Sequence, residues 1–387
     1  MRTYKFLSFL LIAGLLLPAL FGCVGGGEPA ATDPETTETE EPTEAPTEAA
    51  TQPPAPALKT YSVSENLQYI KQLGRCTVVD GGIAADWSAS GIEFEFQGSG
   101  DLKFRATKTG SGSAVLLTAT VDGKDYPVSV GSTGLRTYHI ISNLKEGVHH
   151  VRIRRNTMVE NGAVGTMLQF NAIQMSGTFL EKPADNTYKV AFLGDSITCG
   201  VGISDNGLAT YAVSFCEREQ TDYDICAISG IGVYRSTAKH KNTQNTMTKY
   251  YPYYNYYRSD SLLYTPDRRA DLVVVNLNTN DEGNGRTDDE KDAYQQTLKT
   301  LLSEIRAIHG NDVNIVWIVG MMISPTATVN QWLGEVFDEL GGESAGLYRL
   351  VVETNNAGAS SHPNSASHNN VSSALSEYIR EKGLLAI

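Results

Sequence analysis

Two periodicities divide the chain. From Leu58 to about Leu180, apolar and polar positions alternate. In "GIEFEFQ" Ile92, Phe94 and Phe96 interleave with Glu93 and Glu95, "DLKFRA" continues with Leu102 and Phe104, and "HHVRIRR" repeats the pattern with Val151 and Ile153. A period of two sends successive side chains to opposite faces, so these runs predict half-buried strands. Gly98-Ser99-Gly100 reads as a turn between the first two runs, and Asp122-Gly123 predicts a hairpin joining "LLTATV" to "KDYPVSV". Many short strands with such turns predict an antiparallel β-sandwich of jelly-roll type over residues 59–180.

After Tyr188 strands alternate with helices. "KVAFL", "YDICAIS", "ADLVVVNL", "VNIVWIVGM" and "YRLVVE" include several continuous apolar runs, the pattern of parallel strands covered on both faces. The clearest helix runs from about Asp288 to His309. Thr287 and Glu290 make a capping-box pattern, Tyr294, Leu298, Leu301, Leu302, Ile305 and Ile308 share one face, and Gly310 ends the run. His309 reads as a last-turn residue favoured by the helix dipole. Residues 181–387 are therefore expected to form a doubly wound three-layer α/β domain, with ligands at the carboxyl ends of its strands.

The chain of 387 residues also carries two segments that belong to neither pattern. Residues 1–23 place Arg2 and Lys5 ahead of a short apolar stretch ending in "LFGC". This pattern predicts a secretory signal, and it resembles a bacterial lipoprotein signal in which Cys23 becomes the lipidated first residue; a plain signal peptide is the alternative. Lipidation would hold the protein on the outer face of a bacterial membrane. Residues 24–58 are rich in Thr, Glu, Pro and Ala and hold eight acidic residues and no basic one. They have too little to bury to offset the entropy of ordering, which predicts a disordered tether.

Charge narrows the function. Without the two cations of the leader and the eight acids of the tether, the formal net charge of −13 becomes −7 for the remainder. An acidic surface without a basic run excludes nucleic acid as a partner. The four cysteines after Cys23 are Cys76, Cys199, Cys216 and Cys226. They are too scattered for a small disulfide framework, and whether Cys216 and Cys226 pair is left open.

The residues suited to chemistry gather at predicted strand ends. "GDSITCG" follows the first parallel strand and places Ser196 where the chain turns into a helix. Ser196 there is either a nucleophile or, with Asp195 or Thr198, a helix cap. A nucleophilic serine needs a base and oxyanion donors. Of seven histidines, His139, His149 and His150 fall in the sandwich, while His362 and His368 lie in "SSHPNSASH" after the last strand. Pro363 restricts the backbone of His362, as suits a residue held in a loop. "AISGIG" brings Gly230 and Gly232 to the second strand end, and "NLNTND" brings Asn280 to the third. Each has a plain alternative, the glycines as turns and Asn280 or Asp281 as a cap.

"GDSIT", "SGIG", "NTND" and "HPNSASH" occur in the order of the four blocks of the SGNH (GDSL-like) hydrolases, over Tyr188 to Ile387. With a β-sandwich directly ahead, the chain resembles carbohydrate esterase family 2, secreted enzymes that deacetylate plant polysaccharides. The resemblance implies Ser196 as nucleophile and His362 as general base, with Ser196 N–H, Gly230 N–H and the Asn280 amide as oxyanion hole. It implies a substrate such as acetylated xylan or glucomannan and no cofactor, and the sequence shows no metal-ligand cluster.

Two positions depart from the pattern. The usual D-x-x-H reads Ala359 at the acid position, with no carboxylate from Thr354 to Ser376. The imidazole is then oriented by a backbone carbonyl, as in some family members, by Ser360, or by a distant acid such as Glu353. Asn278 stands where a glycine is usual, and asparagine tolerates the left-handed region if the site demands it. For holding sugar, "KYYPYYNYYRSD" offers six tyrosines, of which Tyr253 and Tyr254 are candidates beside Trp332; core packing is the alternative for all three.

Overall fold

The computed structural model describes residues 57–387, apart from 111, 158, 160–165, 204–206, 238–244, 256–257, 259 and 283–286. The leader, Cys23, nearly all of the tether, His240, Tyr256 and Tyr257 lie outside the described residues.

The first nine strands form one hydrogen-bonded antiparallel sheet. They are β1 Lys59–Ser62, β2 Lys71–Leu73, β3 Thr77–Val79, β4 Gly82–Ala84, β5 Gly91–Thr109, β6 Val115–Val121, β7 Lys124–Val130, β8 Gly134–Arg155 and β9 Met167–Phe179. Along its length β5 pairs with both β8 and β9, and the register slips between Gly98 and Leu102. Gly98-Ser99-Gly100 is thus a bulge inside one long strand, where a turn between two strands was expected. The reason is local. Gly100 takes φ +80° and Gly98 lies so close to the facing strand that a Cβ would sit 2.4 Å from the Ser176 carbonyl oxygen, so glycine permits the bend without breaking the ladder. Ile92, Phe94 and Phe96 before the bend and Leu102, Phe104 and Ala106 after it enter a single buried cluster, which is the core of the sandwich. The hairpin between β6 and β7 forms as expected, with Asp122 and Gly123 both at positive φ.

The second sheet is parallel: β10 Lys189–Gly194, β11 Asp222–Ala227, β12 Leu272–Asn276, β13 Asn314–Met321 and β14 Leu347–Thr354, in the order β11-β10-β12-β13-β14. Among the described residues five helices cover it: α1 Ser196–Cys199, α2 Tyr211–Glu219, α3 Asp288–His309, α4 Thr328–Glu339 and α5 Ser365–Lys382. Strand side chains alternate between two cores. Ala191, Leu193, Val273, Val275, Ile315 and Trp317 pack with α3 and α4, whereas Val190, Phe192, Leu272, Val274, Val316 and Ile318 pack with α1, α2 and α5. The chain leaves β10 to one side for β11 and returns to its other side for β12, which makes the carboxyl end of β10 the switch point where such sheets open a crevice. The four described cysteines are free and buried.

Sandwich and parallel sheet are tied by buried polar contacts. Arg75, 2 % exposed, places Nε 3.2 Å from Oδ1 of Asp224 on β11 and its guanidinium 3.7 Å from the Tyr264 ring centroid. Its Nη1 donates to the carbonyls of Tyr251 and Tyr253. Burial, the largest cause, opposes this charge, but Asp224 together with Cys226 and Tyr251 outweighs it, and the arginine pKa is raised. Asp86 and Arg258 form a second buried pair across the same boundary.

Candidate active site

At the carboxyl end of β10, Gly194 leads into Asp195 and Ser196. Only glycine fits at 194, because a Cβ would meet Thr198 Oγ1 at 1.9 Å. Capping falls to Asp195, whose Oδ1 accepts the Ile197 N–H at 2.9 Å. The Ser196 hydroxyl is thereby left for another partner, and it lies 2.9 Å from Nε2 of His362.

His362 follows a single 3₁₀ turn, Ala359–Ser361, and precedes α5. Its Nδ1 lies 2.8 Å from the Ser360 carbonyl oxygen. That oxygen only accepts, so Nδ1 carries the proton and Nε2 is left as an acceptor for the Ser196 O–H. The orienting group is thus the backbone carbonyl, chosen among the alternatives that the sequence left open. Presenting it requires Ser360 and Ser361 both in the left-handed region, at φ +55° and +58°, a conformation that costs roughly 1 kcal/mol or more per residue. The loop is held by Gly358 N–H to the His362 carbonyl at 2.7 Å and by Ala359 N–H to the Gly202 carbonyl at 3.2 Å. Gly202 allows this approach, since a Cβ there would lie 2.7 Å from His362 Cβ.

The three expected oxyanion donors lie at the same strand ends. Ser196 opens α1, where backbone N–H groups have no intrahelical acceptor. Gly230, at φ +83°, follows β11. The stretch just after it is pinned by Asp281, whose buried carboxylate accepts N–H groups of Val233, Tyr234 and Arg235 at 2.7–2.8 Å. Asn280 directs Nδ2 to the Ile231 carbonyl at 2.7 Å and to Asp195 Oδ2 at 3.3 Å. Burial pushes the Asp195 carboxyl up to about 7, against the hydrogen bond from Ile197 that favours its charge.

Asn278 does adopt a positive φ, +88°. Its side chain turns into the core, donating to Asn330 Oδ1 at 3.0 Å and accepting from the Tyr294 hydroxyl at 2.8 Å.

Of the expected sugar contacts, Trp332 lies in the core. Trp332 is 7 % exposed and packs on Tyr294 within the core. Tyr253 gives its carbonyl to Arg75, and the Tyr254 ring meets Tyr264 edge-on while its hydroxyl donates to Thr265. From this segment the Tyr251 ring and the carbonyls of Tyr251 and Tyr253 meet the Arg75 cation. His309 also differs from its expected role. It is buried, accepts the Ala270 N–H at Nδ1 and reaches the Tyr251 hydroxyl at Nε2, and burial pushes its pKa down to about 4, so it is neutral and no dipole-stabilised cation. His368 is equally buried and caps α2 at Tyr211 N–H. Sequence reasoning missed Gly202 and the anchoring role of Asp281, because neither glycine spacing nor an Asn-Asp pair says which distant loop it will hold.

Among the described residues, no group of three or more His, Cys, Asp or Glu side chains is arranged to hold a metal ion. Residues 192–381 match the GDSL-like Lipase/Acylhydrolase family, and residues 72–183 match the Carbohydrate esterase 2 N-terminal family. The chain carries a GDSL-like acylhydrolase domain behind a carbohydrate esterase 2 N-terminal domain. This two-part chain is 28 % identical over 322 residues to the cellulase/esterase CelE of Acetivibrio thermocellus, covering 76 % of itself and 37 % of that protein. The chain thus spans little more than a third of that relative's length. It is 23 % identical over 284 residues to the acetylxylan esterase / glucomannan deacetylase of Cellvibrio japonicus, covering 68 % of itself and 75 % of the relative. A family two carbohydrate esterase from Clostridium thermocellum, solved with cellohexaose, superposes on the GDSL-like acylhydrolase and its sandwich with a TM-score of 0.72. That likeness is at 26 % identity and covers 82 % of this chain and all of the other.

Proposed function

We propose that the protein is a serine esterase that removes O-acetyl groups from plant cell-wall polysaccharides such as xylan and glucomannan. The observation that carries this reading is the Ser196–His362 contact of 2.9 Å, with the imidazole held in the right tautomer by the Ser360 carbonyl. The relatives supply the choice of acyl group and sugar.

Ser196 Oγ attacks the acetyl carbonyl carbon as its proton passes to His362 Nε2. The resulting oxyanion meets the N–H groups of Ser196 and Gly230. Both hydrogens of the Asn280 amide are engaged in the resting site, and the longer contact, to Asp195, is the one exchanged for the oxyanion. Collapse breaks the ester bond and the sugar oxygen leaves with the proton from His362. Water, deprotonated by the same imidazole, then attacks the acetyl-serine and releases acetate. Cys23, at the end of the leader, would carry the lipid that holds the enzyme at the outer face of a bacterial membrane, with residues 24–58 as its tether.

Acetate release from acetylated xylan and glucomannan tests the reading. The Ser196→Ala and His362→Ala variants should each lower release on the order of 10³-fold or more. Undiminished release by either variant, or none from the wild type, overturns it. Radiolabelled palmitate incorporation lost in Cys23→Ala tests the anchor.

A further inference from the structure

A second crevice lies at the opposite edge of the parallel sheet. It has a volume of about 720 Å³ and is lined by the first residues of β10 and β11, Lys189 and Asp222, together with Arg152 and Arg154 of the sandwich, Lys182 and Tyr254. Ser196 follows the far ends of those strands. Five steps along the strand lead from Lys189 to Gly194, which is about 16 Å at the rise of an extended chain. The volume falls within the range of small-molecule sites.

Its charges are unevenly used. Lys71 is paired with Asp222 and Asp185, Arg268 with Asp222, and Arg154 with Glu217. Among the described residues Arg152, Lys182 and Lys189 have no carboxylate in ion-pair contact; the Lys189 ammonium donates only to the Arg268 carbonyl. An arginine without a carboxylate in ion-pair contact, as Arg152 is among the described residues, matches a carboxylate, which takes two parallel N–H bonds from a guanidinium. Six cationic side chains line the crevice against the five carboxylates of Glu93, Asp185, Glu217, Asp222 and Asp267, and this one-charge excess in a protein of net charge −13 favours a negative ligand. Tyr254, half-buried, adds an aromatic side chain of the kind that packs against a sugar ring.

We propose that this crevice is a second carbohydrate site, one that binds the carboxylate of a uronic acid unit on the polysaccharide. The choice of a sugar as bearer of the carboxylate rests on the esterase reading above. The site would hold an acidic branch while neighbouring chain reaches Ser196.

The test is calorimetric binding of a xylo-oligosaccharide bearing one glucuronosyl branch, against the unbranched oligosaccharide of equal length. The Ser196→Ala protein is used so that turnover does not enter. The branched probe should bind about tenfold more tightly, and the preference should shrink in high salt. Lys182→Glu, an exposed position, and Arg152→Gln should each erase the preference while thermal unfolding shows the variants folded. Equal affinity for both probes, or a preference that survives both substitutions, overturns the proposal. Preference for the branched probe without any acetate release by the wild type would sustain the site and reject the esterase reading; release without preference does the reverse.

Discussion

The carbonyl oxygen of Ser360 lies 2.8 Å from Nδ1 of His362, where a catalytic serine site more often places a carboxylate. A peptide carbonyl fixes the tautomer but bears no full charge, so it does less for the imidazolium that forms during reaction. What it requires is backbone geometry, which gives the first prediction. Ser360→Gly keeps the carbonyl and relieves the left-handed backbone, so kcat on an aryl acetate should stay within about threefold of wild type. Ser360→Pro forces φ to about −65° and swings the carbonyl away, and kcat should fall about 100-fold. A fully active proline variant would sink the assignment.

Asp281 predicts a loss felt at a distance. It accepts three backbone N–H groups from the stretch after Gly230. Asp281→Asn replaces one accepting oxygen with a donor, leaving a buried N–H unpaired at a cost of about 1–3 kcal/mol. Denaturant unfolding should report that loss, and kcat should drop at least about tenfold because Gly230 is no longer held, with KM little changed. Unaltered kcat would detach Asp281 from the site.

Restoring the usual glycine at 278 should not improve the protein. Asn278→Gly eases the φ of +88° yet strands the Tyr294 hydroxyl and Asn330, both buried. A net destabilisation of about 1–2 kcal/mol is expected by denaturant titration, with kcat within about twofold of wild type. A stabilised variant would mean the hydrogen bonds count for less than the backbone.

Acid should unfold the protein partly through two histidines. Burial is the main cause that pushes His309 and His368 down to about 4, while the unfolded chain takes up these protons near 6.5. Between those values the unfolded state holds more protons, so stability is lost as pH falls, on the order of 3 kcal/mol per histidine by pH 4. Asp195 and Glu304, raised to about 7 by burial, act in the opposite sense. The comparison is therefore between wild type and His309→Gln, unfolded in denaturant at pH 7 and pH 4.5. The variant should lose less on acidification; identical losses would refute the neutral, buried assignment.

Much of this was legible in the chain itself. Alternation over 92–96 and 102–104 gave the sandwich strands, continuous apolar runs gave the parallel sheet, and Thr287 with Glu290 marked the start of α3, because these signals are local. Ser196 and His362, 166 positions apart, came from the order of four short blocks. The Ser360 carbonyl was one of several options, since no residue type announces a backbone acceptor. The contact of Tyr251 with Arg75 was hidden for a related reason. Aromatic rings suit a sugar and a buried arginine equally, and only the fold brings Arg75 among them.

That arginine also determines how the protein can be taken apart. A version trimmed to the parallel-sheet half would lose the cation that offsets Asp224 and uncover the Tyr251 and Tyr264 rings beneath it, and a sandwich borrowed from a related chain would have to offer a cation at the same spot. Loss of one member of such a buried pair costs about 3–5 kcal/mol, so Arg75→Ala should unfold at markedly lower denaturant. In a chimaera the interchangeable piece is then the whole stretch from the first strand onward, inherited as one block, even though its two halves read as separate patterns.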